Sequence, residues 1–196
     1  MAVFDAAGTS IEARDAKGGL TLKAADDLLR PTKVWGRDTD GSGEDVRLVE
    51  ETLYGDGPNG PSSPADTNHL GKPYRAYDEA GRVETDAYDF KGNVLETTRR
   101  VIDPQLMIDA YQAADSSNNW SVDTYRVDWS RESGETRGDK EAELLRSQDY
   151  TTTKAYDGLD RSRQVTYPRD KNGSRKVLEP TYNKAGSLQA VDLDGS

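Results

Sequence analysis

The sequence has no cysteine, one histidine, two methionines and two phenylalanines in 196 residues. Without cysteine there is neither a disulfide framework nor a thiolate metal site. The one histidine, His69, lies in the polar run Asp66-Thr67-Asn68-His69 before Leu70. Nothing in the sequence places the partners that a Ser-His-Asp or His-metal arrangement needs, so catalysis by His69 is not expected. No apolar run reaches the roughly 20 residues that span a bilayer. The start, Met1-Ala2-Val3-Phe4-Asp5, has neither the basic nor the apolar region of a secretory signal. An exported protein whose signal lies elsewhere remains open. No phosphate-cradling GxxxxGK loop occurs.

Apolar residues are scarce too. They make up 33% of the chain and charged residues 32%, where a compact domain carries about 45–50% apolar residues. The net charge of −10 disfavours nucleic acid and anionic lipid and leaves a basic partner open. Low hydrophobicity with high charge is the signature of disorder. Ten tyrosines and three tryptophans argue the other way, because aromatics bury large areas even in thin layers. A thin sheet with much surface satisfies both facts.

What the chain has is a repeat. Tyr77-Asp78-Glu79-Ala80-Gly81-Arg82-Val83 is followed by Tyr88-Asp89-Phe90-Lys91-Gly92-Asn93-Val94-Leu95, with aspartates 11 residues apart. Further units begin at Phe4-Asp5 with Gly8, Arg14-Asp15 with Gly18, and Ala25-Asp26 with Leu29 in the glycine place. Two more begin at Tyr156-Asp157, with Asp160 in the glycine place, and at Tyr182-Asn183, with Gly186. Five of these seven units keep glycine three residues after the acidic position. In each unit the tyrosine is expected to end a strand and cover an apolar face. The aspartate opens a turn by accepting a backbone N–H two residues on. The glycine supplies the φ > 0 position that closes the turn. Short alternating strands follow, as in Val83-Glu84-Thr85 and Val94-Leu95-Glu96-Thr97. A period of one strand plus one tight turn predicts an antiparallel meander.

The stretch from Tyr77 to Arg99 resembles the YD repeats of the Rhs superfamily, with closest likeness to Salmonella-virulence-plasmid-B-like proteins and to the B component of ABC-type insecticidal toxin complexes. In that group a YD-E-A-G unit runs directly into a YDFKGN unit. Other segments are similar to family elements. Leu28 to Trp35 resembles the repeat before an inserted hairpin, and Glu51 to Asp56 its return strand. Tyr156 to Arg161 resembles the YDALGR unit, and Pro180 to Gly186 the P-x-YN-x-AG unit. The resemblance implies repeats that spiral into a hollow β shell around a cytotoxic polypeptide, in a protein that acts outside the cell that makes it. Its partners would be neighbouring repeats of the same or a partner toxin-complex chain and the enclosed polypeptide. The family's core signature, a DPxGxxDG-like pattern at a self-cleavage site, is not matched by Asp103-Pro104-Gln105-Leu106-Met107. Self-cleavage and the toxin domain are therefore expected elsewhere.

The expected fold class is all-β, a hairpin meander in a curved sheet of an Rhs-type shell, with one or two short helices in an insertion. Residues 1–35 read as repeats and 36–73 as an inserted hairpin with a loop carrying Pro58, Pro61 and Pro64, which cannot pair in a ladder. Residues 74–99 are repeats again, 100–150 a partly helical insertion, and 151–196 a return to repeats. Asp103 as N-cap and Pro104 at the first helical position predict a helix over 104–114, with Leu106, Met107, Ala110, Tyr111 and Ala114 at helical spacing. Residues 139–147 fit a short helix or an extended loop. The pattern starts and stops mid-repeat, and a meander cut at both ends leaves two unpaired edges. The chain is thus expected to be a piece of a longer protein, with Met1 an addition.

Few residues suggest chemistry. Asp38, Asp40 and Ser42, with Gly41 and Gly43, resemble the start of a calcium loop. Position 12 is Val49 where a bidentate Glu is required, so a solvated hairpin tip is the preferred reading. Asp192 and Asp194 before Gly195 raise the same thought more faintly. Trp35, Trp120 and Trp129 with the tyrosines offer a sugar-stacking platform, against which stands simple packing on the sheet. The 36 acidic residues nominate no catalytic pair, since turn formation already explains the repeated aspartates. The chain is read as a structural segment and not an enzyme, with no cofactor. A carbohydrate- or cell-surface-binding module is the second reading and a hydrolase the third.

Overall fold

The computed structural model describes residues 1–6, 8–39, 45–117 and 125–194. The chain opens with β1 (Ala2–Phe4), β2 (Ser10–Arg14), β3 (Leu20–Ala25), β4 (Pro31–Arg37) and β5 (Arg47–Tyr54). After a long connection come β6 (Pro73–Asp78), β7 (Gly81–Tyr88) and β8 (Val94–Val101). Two helices follow, α1 (Pro104–Ser117) and α2 (Arg137–Leu144). The chain returns to sheet with β9 (Tyr150–Tyr156), β10 (Ser162–Arg169), β11 (Arg175–Tyr182) and β12 (Leu188–Asp194). The 12 strands are hydrogen-bonded in sequence order, β1 beside β2 through to β12, so the sheet is a meander without crossovers. This is the architecture that the repeat pattern predicted. No helix among the described residues is long and apolar enough to cross a membrane.

By its contacts the chain divides into two units. The first comprises Met1–Thr52, Ala76–Arg82 and Val101–Ser147. Its buried apolar side chains are Leu20, Leu48, Tyr77, Ile102, Val127, Trp129, Leu144 and Leu145. Here α1 starts where expected: Asp103 Oδ1 accepts the Gln105 N–H at 3.0 Å, and Pro104 needs no partner for a missing N–H. The helix runs on to Ser117, with Met107, Ile108 and Tyr111 exposed. The segment read as helix or loop is both in turn. Thr136 and Asp139 form a capping box at the start of α2. At Leu145 the chain becomes extended and bridges to Ile102.

The second unit comprises Leu53–Arg75, Val83–Arg100 and Gln148–Ser196. Its buried side chains are few: Leu53, Tyr88, Thr85 and His69. The described residues of β12 are exposed throughout, including Leu188, Val191 and Leu193. The low apolar content of the sequence thus becomes a sheet with little depth.

Candidate functional site

The repeat turns share one geometry. In the unit at Asp89 the backbone N–H of Asp89 bonds the Asn93 carbonyl at 2.9 Å, and the Gly92 N–H bonds the Asp89 carbonyl at 3.1 Å. Asp89 Oδ1 accepts the N–H groups of Lys91 at 2.9 Å and Asn93 at 2.8 Å. Gly92 has φ 97°. This is a type I turn closed by a left-handed residue, the three-residue hairpin loop. Asp157 repeats it with Leu159 and Arg161, and Asn183 with Ala185 and Ser187. Asp15 and Asp26 do the same in the first unit. Leu29 and Asp160, the two residues in the glycine place, adopt φ 60° and 61°. At Asp78 the loop is tighter: Asp78 ends β6, Gly81 starts β7, and Gly81 has φ 131°.

An eighth turn of this kind escaped the sequence reading. Asp170 Oδ1 accepts the N–H groups of Asn172 and Ser174, and Gly173 has φ 82°. Its residue before the aspartate is Arg169, just as Arg14 precedes Asp15 in a unit that the repeat pattern includes. The Asp-x-x-Gly spacing alone would have found it.

The repeat tyrosines use their rings for cover and their hydroxyls for backbone. Tyr88 donates to the Pro73 carbonyl at 2.7 Å, and Tyr182 to that of Ser162 at 3.0 Å. Burial pushes the Tyr156 hydroxyl above its ordinary pKa, and the Asp89 charge adds to this. Turns distant in sequence meet here. Lys91 Nζ donates to the Gly158 carbonyl at 2.9 Å and pairs with Asp160 at 3.0 Å, and Asn93 Nδ2 donates to Asp160 at 3.0 Å.

The first unit holds two buried carboxylates that the sequence reading did not single out. Tyr77 donates to Glu141 Oε1 at 2.6 Å, and Arg82 donates to Glu141 Oε2 at 2.5 Å. Trp129 packs edge-on against Tyr77 with ring centroids 4.9 Å apart, and its Nε1–H bonds the Asp78 carbonyl at 3.0 Å. Glu51, only 4% exposed, faces Arg137, Arg131 and Lys33. Burial pushes the Glu51 carboxyl up, but the Arg137 hydrogen bond and the charges of Arg137, Arg131 and Lys33 outweigh it and hold it below its usual value. Both clusters fasten residues 127–141 to the strands. No sequence pattern marks them, because all their partners but Lys33 lie 59 to 86 residues away.

The weaker candidates are accounted for by packing. His69 is 1% exposed. Its Nε2 donates to the Thr85 carbonyl at 2.7 Å, so Nδ1 meets Thr67 Oγ1 at 2.7 Å, and Tyr74 and Tyr88 pack edge-on against the ring. Of the calcium candidates, Asp38 is turned to guanidinium groups: it accepts from Arg126 Nε at 2.9 Å and lies 3.8 Å from Arg47. Asp40 and Ser42 lie outside the described residues, as does Trp120. Trp129, 3% exposed, has no ring face for a sugar. Among the described residues no group of three or more metal-ligating side chains comes together.

No family's sequence profile matches the chain, and no curated protein matches it. Solved structures do. The chain is similar to a crystal structure of TcdB2-TccC3-TEV, with 18% identity and TM-score 0.71 over 98% of its length. It is similar to TcdB2-TccC3 without its hypervariable C-terminal region, with 18% identity and TM-score 0.72 over 98%. It also resembles a Tc holotoxin pore of Photorhabdus luminescens, with 19% identity and TM-score 0.71 over 99%. The chain spans 8% of the length of each of these chains.

Proposed function

We propose that the chain is a structural, non-catalytic segment of a YD-repeat shell of the toxin-complex type, related to the B component and to Salmonella-virulence-plasmid-B-like proteins. In this reading the shell encloses a toxin polypeptide and belongs to a secreted complex, and the segment's partners are the neighbouring repeats and the cargo. The observation that carries the reading is the 12-stranded meander with its recurring Asp-x-x-Gly turns, which follows the TcdB2-TccC3 fold over nearly its whole length. The packing and ion-pair roles of His69, Glu51 and Glu141 give these groups structural work. The test is the natural protein isolated at its full length, viewed by electron microscopy and treated with protease. A hollow particle holding a protease-protected polypeptide is expected. A cargo-free monomer no longer than this chain would sink the proposal.

A further inference from the structure

The described asparagines differ in what holds their carboxamides. Asn68 Nδ2 donates to the Tyr88 carbonyl at 2.9 Å, and Asn93 Nδ2 to Asp89 at 2.9 Å and to Asp160 at 3.0 Å. Asn183 Oδ1 accepts the N–H groups of Ala185 and Ser187. The side chains of Asn59 and Asn172 make no such bond among the described residues, and each of the two precedes a glycine, Gly60 or Gly173. The two glycines sit differently. Gly60 lies between Pro58-Asn59 and Pro61, and the two proline rings fix φ on either side. It is also packed against Gly55, whose carbonyl oxygen a Cβ on Gly60 would strike. Gly173 lies in the exposed turn between β10 and β11, at φ 82°, and a Cβ there would meet nothing within 4 Å. Its N–H donates to the Asp170 carbonyl at 3.0 Å. Such surface turn bonds open at little cost.

We propose that Asn172 is a site of spontaneous covalent modification, by cyclisation onto Gly173 and hydrolysis to isoaspartate and aspartate. When the turn bond opens, the Gly173 nitrogen gives its proton to solvent base and attacks Asn172 Cγ. The new N–Cγ bond closes a succinimide ring, and the Cγ–Nδ2 bond breaks to release ammonia. Glycine favours the attack because no side chain shields its nitrogen. Water then adds to one of the two imide carbonyls and breaks its bond to the Gly173 nitrogen. Addition at Cγ gives aspartate, and addition at the backbone carbonyl gives isoaspartate, with the main chain running through Cγ. Water is the one co-reactant, and nothing is oxidised or reduced. Asp157-Gly158 offers the same ring, but its carboxylate is bonded by the Leu159 and Arg161 N–H groups and by Arg161 Nε, and an anion resists attack. Isoaspartate inserts a carbon between the two N–H groups that Asp170 Oδ1 accepts, those of Asn172 at 2.8 Å and Ser174 at 2.9 Å. The modification therefore loosens the turn that joins β10 to β11 and adds a negative charge to a chain already at −10.

The test incubates the natural protein, isolated at full length, at mildly alkaline pH in water enriched in heavy oxygen. Peptide mapping by mass spectrometry follows, with fragmentation that separates isoaspartate from aspartate. Asn172 is expected to convert, with heavy oxygen in the product and isoaspartate as the larger fraction. Asn59 is expected to convert at least about tenfold more slowly. Hydrogen exchange of the peptide that carries the turn is expected to quicken as conversion proceeds. Asn172→Gln, which would have to close a larger and less favoured ring, is expected to abolish conversion there and to keep the exchange of that peptide constant with time. The same protein unfolded in urea supplies the reference rate for both asparagines. Asn172 left intact in the folded protein while the unfolded one converts, equal folded-state rates at Asn59 and Asn172, or aspartate formed without isoaspartate would each overturn the proposal.

Discussion

At the scale of single residues, the two turns without glycine have a feature in common. Leu29 and Asp160 hold a left-handed backbone, which costs a residue with a Cβ about 1–2 kcal/mol. In both turns the next residue is an arginine that clamps the turn aspartate: Arg30 Nε donates to Asp26 at 2.7 Å, and Arg161 Nε to Asp157 at 2.7 Å. The turns that keep a three-residue loop and a glycine have Thr9, Gly19, Asn93, Ser174 or Ser187 at that place. The arginine clamp offsets the strain that glycine avoids. Leu29→Gly, with its clamp intact, is therefore expected to raise stability by about 1 kcal/mol, seen as a higher Tm. Gly92→Ala is expected to lower it by a similar amount, about 1 kcal/mol. An unchanged or lowered Tm for Leu29→Gly would contradict the strain argument.

Protonation acts at the same scale. Arg30 and Arg161 hold Asp26 and Asp157 below their ordinary pKa. At Asp89 burial acts upward, but the Asn93 side chain and the backbone N–H groups outweigh it, and the carboxyl again lies low. Glu51 is lowered as described. A carboxyl with a lower pKa in the folded state contributes stability in full above its unfolded pKa, about 4, and loses it as pH falls through the folded value. Tyr74, Tyr125 and Tyr156 are raised, first by burial. They contribute below an unfolded pKa of about 10 and lose that contribution as pH rises through the folded value. Urea midpoints measured against pH should form a plateau that falls below about pH 4 and above about pH 10. A midpoint that rises on acidification would refute the assignment.

At the scale of elements, α2 is the instructive case. Its capping box was written in Thr136 and Asp139, three residues apart, yet the residues that fix its position, Glu51, Tyr77 and Arg82, lie on strands far away in sequence. Turns and strand order are legible because Asp, Gly and alternation act on their own backbone within a few residues. The choice of which acids become buried depends on partners that the sequence does not order, and so Glu51 and Glu141 looked like any other surface charges. Glu51→Gln leaves Arg137, Arg131 and Lys33 facing one another and is expected to cost about 3–5 kcal/mol by chemical denaturation. Thr136→Ala removes the cap and is expected to cost about 1 kcal/mol. A Glu51→Gln loss no larger than that of the cap would show that the cluster is not an anchor.

At the scale of the whole molecule, strand order equals sequence order. Most strands find their partner across a short turn, so most sheet contacts are local and little loop entropy is lost before they form; the pairs β5–β6 and β8–β9, joined by the long connection and by the helical segment, are not of this kind. Further long-range ties run to residues 126–141, such as Asp128 to Leu48 and Arg137 to Glu51, which are separated by 80 and 86 residues.

A meander loaded by its ends is a zipper. Tension applied to the terminal strands opens hydrogen bonds one after another, whereas strands pulled in shear break together. Each strand with its turn is about 11 residues, so each step should release about 35–40 Å of chain. An optical trap should record such small steps from either end, and then a higher plateau where the ties of Glu51 and Glu141 must part. Tugged from one end, the protein would come apart as a peeling ribbon.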